Sequence, residues 1–414
     1  MSGRKESIVF TPGRIGHLEI KNRLVRSSTF EHAATENGEV SDTLMEIHRT
    51  LAKGGVGLIL TGISWVHSEM HAPPMMMRAD NDSFMPGLQK LARSVHEAAP
   101  DCRIMLQLHH PGRQVVTPAD QARMASFRSP AYLAYIRKHP EVTAHAKGAP
   151  HILEPIAPSA VHDTLFNRVP RALSVDEIEQ IIEAYVAGVR RAQDAGFDGA
   201  QLHAAHGWLL SSFLSPRTNR RQDLYGGSTE NRARIVTEIY QRARKKVGES
   251  FPILIKFNTT DFLPGGMDQE ETIRVGKILY ETGFAALEAS GGMWEAVTRT
   301  KEELGWPPVL LPESRTGIRT TEQEGYFLPA ARALKEKTTA TVISIGGYRS
   351  FSRIEAALNS GAADFISLAR PLVRQPDLPH LWYTGGPDKA ECISCNACLP
   401  IGALPLSCRV EMDA

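Results

Sequence analysis

The chain of 414 residues carries only five cysteines, and four of them, Cys392, Cys395, Cys398 and Cys408, crowd into its tail. That distribution excludes a disulfide framework for the body of the fold. In a reducing compartment it points to a metal or cluster segment at the end of the chain. Net charge is almost absent as well, with 47 Lys and Arg against 46 Asp and Glu, so the electrostatic footprint of a nucleic-acid binder is missing. No stretch approaches the ~18 uncharged apolar residues that a membrane span requires, and the opening MSGRKESIVF lacks the apolar core of a signal peptide. These absences lead to the expectation of a cytoplasmic protein, bound to neither membrane nor nucleic acid, that acts on a small neutral or anionic molecule.

What is present is a repeating pattern. An apolar content of 42% is enough for a sizeable core. Eight short runs rich in Val, Ile and Leu recur at 23–29, 56–64, 103–108, 198–203, 252–258, 285–289, 340–346 and 364–369. Most are apolar throughout, as parallel strands covered on both faces should be. The segments between them have helical periodicity. In the clearest, Ser174 and Glu177 form a capping-box pattern ahead of an apolar face of Ile178, Ile181, Ile182, Tyr185, Val186 and Val189. Further helix starts are expected near Ser41, Pro86, Ser228, Asp268, Glu324 and Ser350. Alternating β and α units predict a (β/α)8 barrel, and the absence of G-x-G-x-x-G after the first run argues against a doubly wound open sheet. Two segments break the spacing. Residues 109–171 read as a long loop or small subdomain after the third strand, and 292–320, with Trp294 and Trp306, should lie at the C-terminal face of the barrel.

In such a barrel the strand ends share one pocket. They supply Thr29 and Phe30, Gly62, Gln107 and His110, His203 and His206, Lys256 and Asn258, Ser290 and Gly291, Gly346 and Gly347, and Ala369 and Arg370. The set is polar and poor in carboxylates, which disfavours a two-carboxylate hydrolase. SIGGYRS and SLARP, at the last two strands, offer backbone N–H groups, helix starts and an arginine where such barrels bind phosphate. An amide such as Gln107 can pair with the pyrimidine edge of a flavin. A cation such as Lys256 can stabilise the negative charge of its reduced ring.

The stretch LHAAHGWLLSSFLSPRTNRRQDLYGGSTENRARI resembles the long signature of the old yellow enzyme group of FMN oxidoreductases, joined by KNRLVRSST, VGLILTG, QLHHPGRQ, GGYRS and ARPLVR. The resemblance covers about residues 8 to 380. It implies that Ser27, Ser28, Thr29 and Gly62 line FMN, that Gln107 and Lys256 meet its pyrimidine edge, and that Gly346, Gly347, Ala369 and Arg370 form the phosphate end. His203 and His206 would hold the carbonyl or phenolate oxygen of a ligand stacked on the ring. A metal site at that pair would need a third ligand, and no H-E-x-x-H supplies one. Trp208 stands where the family has a tyrosine that protonates the α-carbon, and an indole N–H is no general acid near neutral pH. Phe30 stands where relatives carry Cys, Thr or His, so no covalent flavin link is expected.

The tail reads C-x2-C-x2-C-x9-C and resembles the [4Fe–4S] segment of trimethylamine dehydrogenase and 2,4-dienoyl-CoA reductase, with a shorter last spacing. The same four thiolates could bind zinc or nothing. The domain expectation is an FMN barrel over 1–385 and a Cys-rich tail over 386–414. The leading functional expectation is an oxidoreductase in which NADH or NADPH reduces FMN and an activated alkene or other electrophile then reoxidises it. The alternatives are a dehydrogenase that passes electrons through a tail cluster to an electron-transfer protein, and a flavin-binding protein without turnover. A homo-oligomer is compatible with each.

Overall fold

The computed structural model describes residues 4–67, 72–140, 154–400, 402 and 404–410. Eight parallel strands close on themselves: β1 (Leu24–Arg26), β2 (Leu58–Trp65), β3 (Arg103–His109), β4 (Gly199–Ala204), β5 (Ile253–Asn258), β6 (Leu287–Ser290), β7 (Val342–Ser344) and β8 (Phe365–Leu368). Closure comes from β8 pairing with β1, in register Ile366 with Leu24 and Leu368 with Arg26. An open doubly wound sheet is thereby excluded, and the barrel is the architecture the apolar runs predict.

The strands are mostly apolar because both faces are buried, with polar side chains entering only toward the upper lumen. Outside them, helices α1 (Asp42–Lys53), α2 (Met85–Ala98), α3 (Val175–Asp194), α4 (Thr229–Val247), α5 (Gln269–Thr282), α6 (Leu328–Lys337) and α7 (Phe351–Asn359) form the ring. Inside, Val25, Leu58, Leu60, Met105, Leu254, Ala286, Ile343 and Phe365 fill the lower lumen. A hairpin of Gly13–Ile15 and Leu18–Ile20 pushes Ile15 and Ile20, both 0% exposed, into the same cluster. The N-terminal end is thus plugged, and polar chemistry is confined to the opposite mouth.

Caps fall where short polar residues precede apolar periodicity. Ser41, Ser174, Ser228 and Asp268 each accept an N–H of the first turn, with Glu177 completing the capping box at α3. Glu324 departs from expectation. Helix α6 begins at Leu328, and the Glu324 carboxylate instead accepts the N–H groups of Arg349 and Ser350 and the Ser350 hydroxyl. It caps α7 in trans, a role that spacing along the chain cannot reveal.

The two irregular segments meet over the mouth. The excursion after β3 carries helices Pro118–Ala125 and Pro130–Lys138 and the short paired strands Ile156–Ala157 and Arg171–Ala172; residues 141–153 of it lie outside the described set. Its Met124, Leu165 and Phe166 pack on Val297 and Leu310 of the segment after β6. Glu295 of that segment meets Arg217 at 2.8 Å and Arg113 at 3.7 Å, and accepts the Thr164 hydroxyl.

Because Glu324 is buried and serves three donors, Glu324→Ala should lower stability by about 3 kcal/mol through stranded N–H groups at the start of α7. Urea denaturation with a lowered midpoint and an unchanged slope is the expected result; an unchanged midpoint would refute it.

Candidate functional site

Register brings like-layer residues together in the upper barrel. Gln107 of β3 lies beside Gln201 of β4, and Lys256 of β5 beside Glu288 of β6. Glu288 is 0% exposed, so its charge must be met from inside the protein. Lys256 Nζ lies 3.3 Å from its Oε1, the Ser27 hydroxyl donates to the same oxygen at 3.1 Å, and Gln201 Nε2 donates to Oε2 at 2.8 Å. The order set there propagates. Gln201 accepts from Gln107 Nε2 at 2.7 Å, and Gln107 Oε1 accepts from the Ser28 hydroxyl at 2.7 Å. Lys256 also donates to Ser27 Oγ at 3.0 Å.

This layer corrects the expectation that the barrel mouth is poor in carboxylates. Glu288 was missed because it sits in an apolar run, Ala285–Ala289, and its partners lie on other strands. Glu31 was missed as well; it pairs with Arg26 at 2.9 Å and accepts the Gly62 N–H at 3.0 Å. Gly62 sits at a register shift in β2 and packs so tightly on Glu31 that a Cβ there would lie 1.8 Å from Oε2. At the same irregularity the Gln107 N–H turns to Thr61 Oγ1. Thr29 turns its hydroxyl back to the Ser27 carbonyl, and Phe30 packs edge-on against His32.

Above this layer stands a row of imidazoles. His109 Nδ1 and His203 Nδ1 are 3.1 Å apart, His203 Nε2 and His206 Nδ1 3.2 Å, and His206 Nε2 and Ser290 Oγ 2.7 Å. His206 adopts φ 65°, a left-handed conformation unusual for a non-glycine residue. Asn258 accepts its N–H at 2.8 Å, and Gln114 donates to its carbonyl at 2.9 Å, so the turn is held from two other elements. Burial holds His109, His203 and His206 well below the usual histidine range, with Lys256 adding to the effect at the last two. They are neutral imidazoles at physiological pH. Trp208 packs edge-to-face on His109 and on Trp294, as part of the wall.

Gly346 and Gly347 both have positive φ, 128° and 73°, and a Cβ on Gly347 would lie 2.7 Å from the Tyr326 ring. Among the described residues their N–H groups meet no acceptor. Arg370, just after β8 and behind Ala369, uses Nη1 on the Arg315 carbonyl and on Asn396 Oδ1. Among the described residues, its Nε and Nη2 make no hydrogen bond.

The sequence matches the NADH:flavin oxidoreductase / NADH oxidase family over residues 8–388. The chain belongs to that family. It is similar to an NADH oxidase of Thermoanaerobacter brockii, 35% identical over 94% of this chain and 52% of the relative. An NADPH dehydrogenase of Geobacillus sp. is 30% identical over 91% of this chain and 93% of its own. Among solved structures, a 2-naphthoyl-CoA reductase bound to 2-naphthoyl-CoA superposes with a TM-score of 0.76 at 27% identity, covering 94% of this chain and 54% of that one. This chain spans about half the length of several of the relatives it matches, such as the NADH oxidase and the naphthoyl-CoA reductase.

Beyond the family match, Cys392, Cys395, Cys398 and Cys408 line one small cavity together with Arg370, Arg374 and Asn396. Left-handed residues Ser394 (φ 55°) and Asn396 (φ 61°) curl the Cys-x-x-Cys-x-x-Cys loop around it. Among the described residues no three His, Cys, Asp or Glu side chains are arranged closely enough to hold a metal ion. The loop is stitched to the segment after β6: Asn396 Nδ2 donates to the Ser314 carbonyl at 2.7 Å, and Gly317 N–H to the Ser394 carbonyl at 3.2 Å. No helix among the described residues is long and apolar enough to cross a membrane.

Removing Glu288 while keeping Lys256 leaves an unpaired buried ammonium, so Glu288→Ala should cost about 3–5 kcal/mol. Glu288→Leu combined with Lys256→Met should cost clearly less. Urea titration of both variants distinguishes them, and equal losses would show that the pair does not organise this layer.

Proposed function

We propose that the chain is an FMN-dependent oxidoreductase that uses NADH or NADPH to reduce an activated alkene or a comparable electrophile in two half-reactions at one site. The observation that carries this reading is the set of donors left over once the internal network is satisfied. Lys256 has three N–H groups and two named acceptors, Gln107 has one amide N–H beyond its bond to Gln201, and the glycine pair and the Arg370 edge remain open. Those are donors for a pyrimidine edge at one end and a phosphate at the other, so the residues fit FMN. When bound, FMN supplies hydride transfer. Ser27, Ser28, Thr29 and Gly62 would line it, with Ala369 at the phosphate end.

His203 and His206 would hold the substrate oxygen. As neutral imidazoles each keeps one N–H, and two such donors stabilise developing enolate charge more than a ground-state carbonyl. Their 3.2 Å contact with each other is the bond a ligand oxygen would exchange for. Trp208 would wall the ring's upper face. The names of the relatives, an NADH oxidase and an NADPH dehydrogenase, support a nicotinamide-driven reductase over the amine-type dehydrogenase alternative.

Purified protein should be yellow and release all its flavin as FMN on acid precipitation, because position 30 offers no thiol. NADH or NADPH should bleach it anaerobically, and 2-cyclohexenone should restore the colour. Oxidation of NAD(P)H no faster than with free FMN would overturn the reading.

The four cysteines share one cavity without the close spacing that a single ion needs, which supports the larger [4Fe–4S] centre in the tail, with zinc as the second choice. Such a centre would give an electron-transfer protein a point of contact. Protein prepared anaerobically should hold about four irons per chain beyond its flavin, and Cys395→Ser should lose them. Preparations with neither iron nor zinc would rule the centre out.

A further inference from the structure

The family's acid position is filled by Trp208, yet reduction of an alkene needs a proton as well as a hydride. Three groups at the mouth can be set aside. The indole is no acid near neutral pH, the imidazoles are held neutral by burial, and the Tyr326 hydroxyl donates to the backbone carbonyl of Glu313 at 2.6 Å with its acidity suppressed by burial.

The Glu313 side chain itself remains. It comes from the segment after β6, and its Oε1 lies 3.9 Å from His206 Nδ1, beyond hydrogen-bond length but in contact range. Its Oε2 is buried with no hydrogen-bond partner among the described residues. The segment carrying it is fixed from several sides: Tyr326 on the Glu313 carbonyl, Asn396 on Ser314, Arg370 on Arg315, and the Arg315 guanidinium stacked 4.3 Å from the Tyr326 ring and 4.6 Å from that of Trp306.

We propose that Glu313 is the acid that protonates the α-carbon of the substrate. The inference rests on the reductase reading above. An oxygen held by His206 places the α-carbon two bonds away, toward the groups that touch His206, and Glu313 is one of them. In balance, the alkene gains at its β-carbon the hydride that NAD(P)H supplies through the site, and at its α-carbon the carboxyl proton of Glu313. NAD(P)+ and the saturated product leave, and the carboxylate takes a proton back from solvent, which its 16% exposed side chain can reach.

The charges that face Glu313 suit this cycle. Desolvation pushes its carboxyl up to about 7, while the charges of Lys256 and Arg370 pull in the opposite direction and would offset the carboxylate's charge once the proton has gone. His206 and Tyr326, the other titratable groups against it, are both neutral near pH 7. A carboxyl of this kind is protonated below neutral pH and spent above it, so the alkene half-reaction should slow as pH rises through about 7.

Glu313→Gln and Glu313→Asp both keep the backbone carbonyl that Tyr326 uses. In stopped-flow experiments Glu313→Gln should leave reduction by NADH near wild type, slow reoxidation by 2-cyclohexenone ~10²–10⁴-fold and flatten its pH profile, with partial recovery in Glu313→Asp. Independently of turnover, infrared difference spectra of wild type across neutral pH should show a protonated carboxyl, shifted in deuterium oxide, that Glu313→Gln lacks. A Glu313→Gln enzyme with wild-type reoxidation and pH profile overturns the assignment, as does one that merely binds FMN more tightly with its proton step intact. A wild type that passes no electrons to any enone overturns the reductase reading itself, and the acid role with it.

Discussion

A carboxylate with no access to water has to find its compensation inside the protein, and Glu288 imposes that requirement at the centre of the barrel. Its partners come from β4, β5 and Ser27 just after β1, and through Gln201 the constraint extends to Gln107 on β3. Strands far apart in sequence are thereby held in one angular relation, and the directions of Lys256 and of two amides follow. The lumen below is apolar and plugged, so this layer is the floor on which the rest of the mouth stands.

The imidazole row rests on that floor and is ordered by its own contacts. Because His203 uses one ring nitrogen on His109 and the other on His206, its tautomer is tied to theirs, and the Ser290 hydroxyl terminates the series. A proton moved at one member changes the donor and acceptor roles of the others. Trp208, packed on His109, limits how far the rings can turn.

Much of this was legible in the sequence. Strands buried on both faces are written as mostly apolar runs, and caps such as Ser174 with Glu177 are local, so barrel and helix starts could be read without tertiary information. His203, His206, Gln107, Lys256 and Arg370 stood out because they sit at strand ends, whereas the imidazole that joins the row is His109 and not the expected His110, which accepts the Gly112 N–H instead. Glu324, Glu288 and Glu313 did not, for one shared reason. Each acts across the fold, on the start of α7, on strands β4 and β5 and the end of β1, or beside His206, and partners that distant leave no spacing signal. The tail cysteines announced themselves by crowding, but a side chain that joins their loop to the barrel is Asn396, an ordinary residue between two of them.

That asparagine bears on the entropy of recognition. An arginine gives up ~2 kcal/mol of rotamer freedom when it is immobilised, and if this happens on binding it is subtracted from affinity. Arg370 is already clamped through Nη1 by Asn396 and the Arg315 carbonyl. The loss has been taken during folding, so an anion that meets the open Nε and Nη2 edge encounters a preorganised fork. If Arg370 receives an anion as proposed, affinity at the mouth of the barrel would be set in part by residues of the tail that never need to touch the ligand.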